Sequence, residues 1–324
     1  MNEFRPHFVV FKNENLELPL TIGGLTQKGS NSDEDKNNQD AMSIVAIKKT
    51  IIAVVCDGCS SGSGIGQNIY SHNEFAAQSL SVLAVKHIQE FISKENDINE
   101  NIVLFLEERL LSDLKNMLSL FESEILYFND HIIMELFLST IVAVIVVDEK
   151  WYVLHGGDGL VIINGDITDL DKNNSGSYIA NILHSQSQNK QNTIKLLANG
   201  NVSDIKHILI ATDGVSEFIR KDKERFLLLC DEVGAPKKGY NPGYDEYFFR
   251  EFRKRFSNQW EGDKKERPDH DDRTFILIRR IPCTAEEKPI FPSVNNAGRA
   301  NIKGQRKMKK GKKEKRKRRT WKTK

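Results

Sequence analysis

Strand-like apolar runs come in adjacent pairs along this chain, and this pairing limits its possible folds more than any other feature. The runs 41–47 and 51–56 are separated only by Lys48-Lys49-Thr50, which predicts a β-hairpin. The runs 136–147 and 151–155 flank Asp148-Glu149-Lys150 in the same way and predict a second strand pair. Consecutive strands joined by tight turns are antiparallel, because a parallel crossover needs a longer connection.

The rest of the chain adds single strands and long helical patterns. Apolar residues recur with helical spacing in 67–93 and 101–129, and a shorter helix is predicted at 244–256. The polar stretch 166–204 supports no prediction. Further strands are predicted at 7–11, 20–25, 159–164, 205–211 and 273–281. Paired strands with helices between them predict an α+β domain, with antiparallel sheets and helices packed outside them.

The net charge of +2 conceals two very different segments. Residues 299–324 hold fifteen Lys or Arg and one acid, and removing this +14 from the total leaves −12 for residues 1–298. We therefore predict a folded domain over 1–282 and a disordered, basic C-terminal tail over 283–324. The tail could bind nucleic acid or another polyanion, it could fold back on the acidic body, or it could only add solubility.

Cysteine usage and hydropathy favour a cytoplasmic protein with free thiols. None of the four cysteines sits in a disulfide framework, and Cys56-Asp57-Gly58-Cys59 has no second Cys or His pair that would suggest zinc. The N-terminal residues do not form the apolar stretch of a signal peptide. The longest apolar run, 136–147, is too short to span a bilayer, so no transmembrane segment is expected.

Acidic residues stand where several predicted strands end. Asp57-Gly58, Asp158-Gly159 and Asp213-Gly214 each follow or lie beside an apolar run, and Asp271 lies just before the last strand. One Asp-Gly pair alone is usually a turn. Several carboxylates that meet at neighbouring strand ends would repel each other unless hard cations neutralised them. Ligands that offer only oxygen favour Mg²⁺ or Mn²⁺ over zinc.

In their order along the chain, these motifs resemble those of the metal-dependent serine/threonine protein phosphatases of type 2C, in the form that bacterial members have. Each motif is weak alone, and the ordered set is specific. The motifs are Asn38-Gln39-Asp40-Ala41, Val55-Cys56-Asp57-Gly58, Leu138-Ser139-Thr140, Gly157-Asp158, Thr212-Asp213-Gly214-Val215 and Asp271-Asp272-Arg273-Thr274.

The resemblance implies a four-layer αββα sandwich with two metal ions at one end, Mn²⁺ or Mg²⁺, and it leaves a third ion open. It implies that Asp57, Asp213 and Asp271 bind the first ion. Asp57 and the Gly58 carbonyl bind the second, and Asp40 holds metal-bound waters. A hydroxide that bridges the two ions then attacks the phosphorus of phosphoserine or phosphothreonine in line with the leaving oxygen.

The sequence departs from the family pattern at three places, which concern cation binding, the general acid and phosphate binding. Gln39 replaces a common Glu, and an amide oxygen is a poorer cation ligand than a carboxylate. The second motif continues with Cys59 where many members continue with Gly-His, so the His proposed as general acid in some members is absent. His155 is a candidate for this role, and a structural His is the alternative. The phosphate-binding Arg is missing, and Lys28 or Lys36 could bind phosphate instead or could simply be solvated loop lysines.

We therefore expect a protein phosphatase that opposes a protein kinase in signalling and acts on phosphorylated protein substrates. A catalytically weak phosphoprotein-binding scaffold and a tail-driven nucleic-acid-associated protein are the alternatives. The sequence leaves open the substrate, the cognate kinase, the preference between Mn²⁺ and Mg²⁺ and the oligomeric state.

Overall fold

The structure is a computed structural model of the 324-residue chain, and it divides into two units, Met1–Ile281 and Pro282–Lys324. The second unit lies outside the described residues, so the boundary and character of the basic tail stay predictions. The described residues are 7–10, 16–27, 38–59, 72–95, 98, 100–121, 129–170, 178–183, 193–216, 219, 223–224, 227 and 272–280.

Strands of the described part form two sheets in which every neighbouring pair is antiparallel. In chain order they are β1 His7–Val10, β2 Leu20–Gln27, β3 Ala41–Ile47, β4 Thr50–Cys56, β5 Ile141–Val147, β6 Lys150–Gly156, β7 Leu160–Ile163, β8 Asp166–Asp169, β9 Lys195–Asn201, β10 His207–Ala211 and β11 Arg273–Arg280. The order is β1-β2-β11-β10-β7-β8 in one sheet and β3-β4-β5-β6-β9 in the other. The predicted antiparallel α+β architecture is confirmed.

Strand β4 shows how the layers stack, because both of its faces are buried. Ile52 and Val54 belong to an apolar cluster that includes Leu80 and other helical residues. The alternate residues of the strand, such as Val55, belong to a second cluster with Ile276 of the other sheet. Successive strand side chains point to opposite faces, so helices cover one face of the five-stranded sheet and the six-stranded sheet covers the other.

Three α-helices have described bounds, and the first of them changes a prediction. They are α1 Glu74–Lys94, α2 Asn101–Phe121 and α3 Asn129–Leu136. Helix α1 packs on β3 and β4. Residues 72–73 precede α1, so the helical pattern predicted from 67 begins later there, and 67–71 lie outside the described residues. The helix predicted at 244–256 also lies outside them.

The strand predicted at 136–147 was wrong in its first part. Helix α3 ends at Leu136, and β5 starts only at Ile141. Ile133 and Phe137 are four residues apart and both buried, which is the spacing of one helix face. The apolar side chains of Leu136, Phe137 and Leu138 extend the strand pattern backwards in the sequence, although Leu136 ends the helix. None of the helices in the described segments is both long and apolar enough to cross a membrane.

The described part of the stretch 166–204, which supports no prediction from sequence, contains two edge strands and two 3₁₀ helices, Ile179–Leu183 and Val202–Asp204. Strands β8 and β9 stand at the edges of their sheets, and neither contains a fully buried residue. An edge strand with polar side chains lacks the apolar alternation on which strand prediction relies.

Glu107 of α2 ties the helical layer to the start of β9. The side chain is buried, and one carboxylate oxygen, Oε2, accepts the backbone N–H groups of Thr193 at 2.6 Å and Ile194 at 2.9 Å. Removing it leaves two backbone donors without their acceptor in a buried place. We expect Glu107→Ala to lower the free energy of unfolding by about 2–3 kcal/mol.

Urea denaturation measures this change, and Glu108→Ala is the matched control because Glu108 is exposed on the same helix. The control should stay within about 0.5 kcal/mol of the wild type. Equal losses in the two variants would show that the contact to β9 has no special role.

Candidate metal centre

The predicted motifs lie where strands of the five-stranded sheet begin or end, along one edge that is formed by strand ends and not by an edge strand. Ala41 pairs with Cys56 across β3 and β4, so Asp40 and Asp57 lie side by side just beyond the paired ends. Ile141 pairs with Gly156 across β5 and β6. The Ser-Thr segment before β5 and the Gly-Asp segment after β6 therefore lie at this same edge.

The six-stranded sheet presents its own motif residues in the same manner. Ala211 at the end of β10 pairs with Phe275 of β11 on one side and with Leu160 of β7 on the other. Thr212 and Thr274 lie just beyond the first of these pairs. Asp213, which follows Thr212, thus lies at the end of β10 in a single 3₁₀ turn, Asp213–Val215.

Two hydrogen bonds join the motif-bearing edges of the sheets. The Thr212 hydroxyl donates to Oδ2 of Asp40 at 2.7 Å, across 172 residues of sequence. The backbone N–H of Gln39 donates to Oδ2 of Asp272 at 2.6 Å. Asp40 is 5% exposed and Asp272 is 7% exposed, so both carboxylates are bonded within a buried setting. The first, fifth and last motifs are therefore in direct contact.

A chain of hydroxyl and amide groups holds the first motif in this position. The Asn38 amide donates to the Thr26 hydroxyl at 2.7 Å, and its carbonyl oxygen accepts the N–H of Asp40 at 3.0 Å. The Thr274 hydroxyl donates to the same Thr26 hydroxyl at 2.6 Å, while the Thr274 N–H donates to the Thr212 hydroxyl at 3.0 Å. Residues of the six-stranded sheet thus fix the backbone on which Asp40 stands.

The loop after β4 is bonded to the segment before β5. The Asp57 N–H donates to the Thr140 hydroxyl at 3.2 Å, and the Asp57 carbonyl accepts the Thr140 N–H at 2.9 Å. The Cys59 N–H donates to the carbonyl of Leu138 at 3.2 Å. The Leu-Ser-Thr motif therefore acts through backbone and hydroxyl bonds that set the position of Asp57.

Gly58 is enclosed so tightly that no side chain fits. A Cβ there would lie 2.5 Å from the Asn73 carbonyl oxygen and 2.8 Å from that of Gln39. The Gly58 N–H donates to the Gln39 carbonyl at 3.2 Å. Among the described residues, none donates a hydrogen bond to the Gly58 carbonyl oxygen.

Gly214 makes an equally close approach to the chain before β11. A Cβ on Gly214 would overlap the carbonyl oxygen of Asp272, so the turn that carries Asp213 rests on that backbone. Asp213 is half-buried. Asp271, the neighbour of Asp272 and the predicted third ligand, lies outside the described residues, as do Lys28 and Lys36.

The donor chemistry at this edge fits hard divalent cations. Asp40, Asp57, Asp213 and the Gly58 carbonyl supply oxygen only, which suits Mg²⁺ or Mn²⁺. Among the residues that the structure describes, no three His, Cys, Asp or Glu side chains form a metal-ligand cluster. Asp40, Asp57 and Gly58 lie at the strand ends of the five-stranded sheet and Asp213 lies at the end of β10 in the other sheet, while Asp271 is outside the described residues. The ligand assignment therefore remains a prediction.

Tyr178 is a neighbour of this edge that the sequence did not reveal. The Cys59 thiol lies within hydrogen-bonding distance of the Tyr178 hydroxyl. Burial, together with Cys59 and the negative charges of Asp158 and Asp57, raises the pKa of Tyr178 above its usual range. The Tyr178 ring therefore lies close to Asp57 and Asp158, and its hydroxyl keeps its proton. It belongs to the polar stretch 166–204, where no periodic pattern marks it.

The two cysteines of the Cys-x-x-Cys sequence have different surroundings. Cys56 is fully buried at the end of β4, and burial raises its pKa far above the usual value, while a hydrogen bond to Ser139 acts in the opposite direction. Cys59 is half-buried beside Tyr178. Both are free thiols.

His155, the candidate general acid, lies in β6 with Nδ1 3.4 Å from the carbonyl oxygen of Gly157. Burial lowers its pKa, the Gly157 carbonyl raises it, and the charge of Lys195 lowers it, with a downward net shift. An imidazole with a lowered pKa is mostly neutral at pH 7. This environment favours the structural alternative for His155.

Comparison with protein families gives one match. The family model described as protein phosphatase 2C matches residues 29–256, more than two thirds of the chain. Asp271, Asp272 and β11 lie beyond the matched stretch. A search of curated proteins found no significant match.

Several solved structures are distantly similar. A bacterial serine phosphatase is 17% identical, with a TM-score of 0.46 over 80% of this chain and 97% of that one. Serine/threonine phosphatase Stp1 from Staphylococcus aureus is 16% identical, with a TM-score of 0.45 over 84% of this chain and 99% of that one. The catalytic domain of PstP in complex with two manganese ions is 12% identical, with a TM-score of 0.44 over 80% and 97% of the two chains. At these scores no residue role or ligand is carried over.

The bond between Thr212 and Asp40 can be removed with little change of shape. We expect Thr212→Val to cost about 1–3 kcal/mol of unfolding free energy, because the buried Asp40 carboxylate loses a donor and the Thr274 N–H loses its acceptor. Chemical denaturation measures the loss. Thr168→Val, on the exposed face of the edge strand β8, is the matched control and should change stability by less than about 0.5 kcal/mol. A Thr212 variant as stable as the control would contradict the proposed link between the sheets.

Proposed function

The chain belongs to the protein phosphatase 2C family, and we propose that Asp57, Asp213 and Asp271 hold the metal ions with which it works. It is a metal-dependent serine/threonine protein phosphatase that uses Mn²⁺ or Mg²⁺. The observation that best supports the residue assignment is the pair of hydrogen bonds between the sheets, Thr212 to Asp40 and Gln39 to Asp272. Carboxylates from distant parts of the sequence are drawn to one edge by these bonds.

Each residue of the proposed centre has a separate task. Asp57 would contact both ions, Asp213 and Asp271 would complete the first site, and the Gly58 carbonyl would serve the second. Asp40, which is bonded to Thr212, would orient water. Two divalent cations, when bound, lower the pKa of water and stabilise negative charge on the phosphoryl group.

Lys28 or Lys36 would bind the phosphate of the substrate as a point charge in place of an arginine. Protonation of the leaving serine or threonine oxygen does not fall to Cys59, because its thiol is bonded to Tyr178 rather than held as an acid. His155 is mostly neutral near pH 7 and bonded to backbone, so it is not assigned this role either. We propose that water supplies this proton.

Phosphorylated proteins are the substrates of this enzyme class, and we propose that the chain opposes a cognate protein kinase in cytoplasmic signalling. The free thiols Cys56 and Cys59 suit a reducing compartment. The basic segment 299–324 would bind nucleic acid or another polyanion, because fifteen positive side chains in 26 residues attract phosphate-rich polymers.

The metal assignment is tested by hydrolysis of a phosphothreonine peptide with Mn²⁺ and with a chelator. Asp57→Asn should lower kcat by at least about 100-fold, since the electrostatic stabilisation that its charge supports is lost. Asp166→Asn is the control, because Asp166 is exposed at the far end of β7 and β8. Tight phosphopeptide binding without turnover in the wild type would instead support a scaffold.

The tail is tested by deleting residues 299–324. Retention of the full chain on heparin should fall steeply with salt, and the shortened chain should elute early at every salt concentration. Hydrolysis of p-nitrophenyl phosphate should be the same in both proteins. Unchanged heparin retention after the deletion would contradict polyanion binding by the tail.

A further inference from the structure

We propose that Asn73 is a positioning residue that fixes the Gly58 peptide by binding the neighbouring Cys59 carbonyl, and that it thereby sets the affinity of the centre for divalent cations. The inference rests on the proposed function, in which the Gly58 carbonyl is a cation ligand. Nothing in the sequence motifs marks Asn73, which stands fourteen residues beyond Cys59.

Asn73 is fully buried, and among the described residues its side chain bonds to three. The side-chain N–H₂ group donates to the carbonyl of Cys59 and to the carbonyl of Met134 at 3.2 Å. The side-chain oxygen accepts the N–H of Leu138 at 3.0 Å. Both donor hydrogens and one acceptor site of the amide are therefore used, and only an amide side chain offers this combination of two donors and a carbonyl acceptor.

These bonds do not belong to the usual task of an Asn before a helix. Asn73 directly precedes α1, where an Asn side chain commonly caps the first free N–H groups. Here the side chain makes no such capping bond, and the residue has helical backbone angles. The amide instead bonds to Cys59, to Met134 near the end of α3 and to Leu138 just after that helix.

The consequence for Gly58 follows from the planarity of the peptide bond. The Cys59 N–H points to the Leu138 carbonyl, and in a trans peptide the preceding carbonyl points the opposite way. The Gly58 carbonyl therefore faces away from Leu138. The Gly58 N–H is held by Gln39, and Asn73 holds the Cys59 carbonyl, so the backbone is fixed on both sides of this oxygen.

Close packing adds to the same restraint. The Asn73 carbonyl oxygen would lie 2.5 Å from a Cβ on Gly58, so the two backbones are in direct contact. The Asn73 side chain also binds both the Cys59 carbonyl and Leu138, whose carbonyl accepts the Cys59 N–H. Groups that orient metal ligands in this way usually change metal affinity by about 10- to 100-fold when they are mutated.

The test compares Asn73→Asp with Asn164→Asp in the full-length chain. Asp keeps the acceptor for a backbone N–H and loses the donor hydrogens. Asn164 is a matched control because its amide also donates to a carbonyl, that of Asp204 at 2.8 Å, and accepts the backbone N–H of Lys206 at 2.7 Å. It lies at the end of β7 remote from the metal centre.

We expect the dissociation constant for Mn²⁺, measured by isothermal titration calorimetry, to rise at least about 10-fold in Asn73→Asp and to stay within about twofold in Asn164→Asp. At saturating Mn²⁺, kcat for a phosphothreonine peptide should return to within about threefold of the wild type, because the residues proposed to act in the reaction are unchanged. A purely structural role would lower the melting temperature and leave the Mn²⁺ affinity of the folded protein unchanged.

The neutral variant Asn73→Ser replaces Asn73→Asp if the buried carboxylate prevents folding, as judged by circular dichroism in chelator. The variant Asp57→Asn distinguishes a failure of the positioning role from a failure of the metal centre. If Asp57→Asn loses Mn²⁺ binding while the Asn73 variants bind like the wild type, the positioning role is wrong and the metal centre stands. If Asp57→Asn binds Mn²⁺ like the wild type, the metal centre itself is wrong.

Discussion

The hydrogen bond from the Thr212 hydroxyl to the Asp40 carboxylate is the contact on which the candidate centre depends. It joins the end of β10 in one sheet to the start of β3 in the other, in a place where both side chains are buried. A buried carboxylate that lost this donor would cost more than the bond itself contributes, because desolvation would remain uncompensated. The relative position of the two sheet edges is therefore strongly determined at this point.

Antiparallel pairing explains how residues so far apart in sequence come together. Each hairpin returns the chain to the edge from which it started, so the end of β4 lies beside the start of both β3 and β5. The same holds for β10 between β7 and β11. Acidic residues at alternating ends of consecutive strands therefore collect at one edge, where their mutual repulsion favours cation binding.

The sequence predicted the elements in which local pattern and tertiary environment agree. The β3–β4 hairpin has the predicted boundaries to within one residue, because its apolar residues are buried and its turn is polar. Strands β8 and β9 were not predicted, because their exposed edge positions carry polar side chains. The predicted strand 136–147 included the last residue of helix α3 and the segment before β5, because a short apolar stretch does not distinguish the end of a buried helix from a buried strand. The candidate site shows the same division: Asn73 and Tyr178 were not found, because their roles depend on contacts between segments and on no local pattern.

A crystal structure of the protein grown with Mn²⁺, with anomalous data collected at the manganese absorption edge, would locate the metal ions. We expect two anomalous peaks beside the ends of β4 and β10, with Asp57 in contact with both ions and Asp213 with one. Peaks at another surface, or Asp57 and Asp213 side chains that contact no common ion, would contradict the metal assignment.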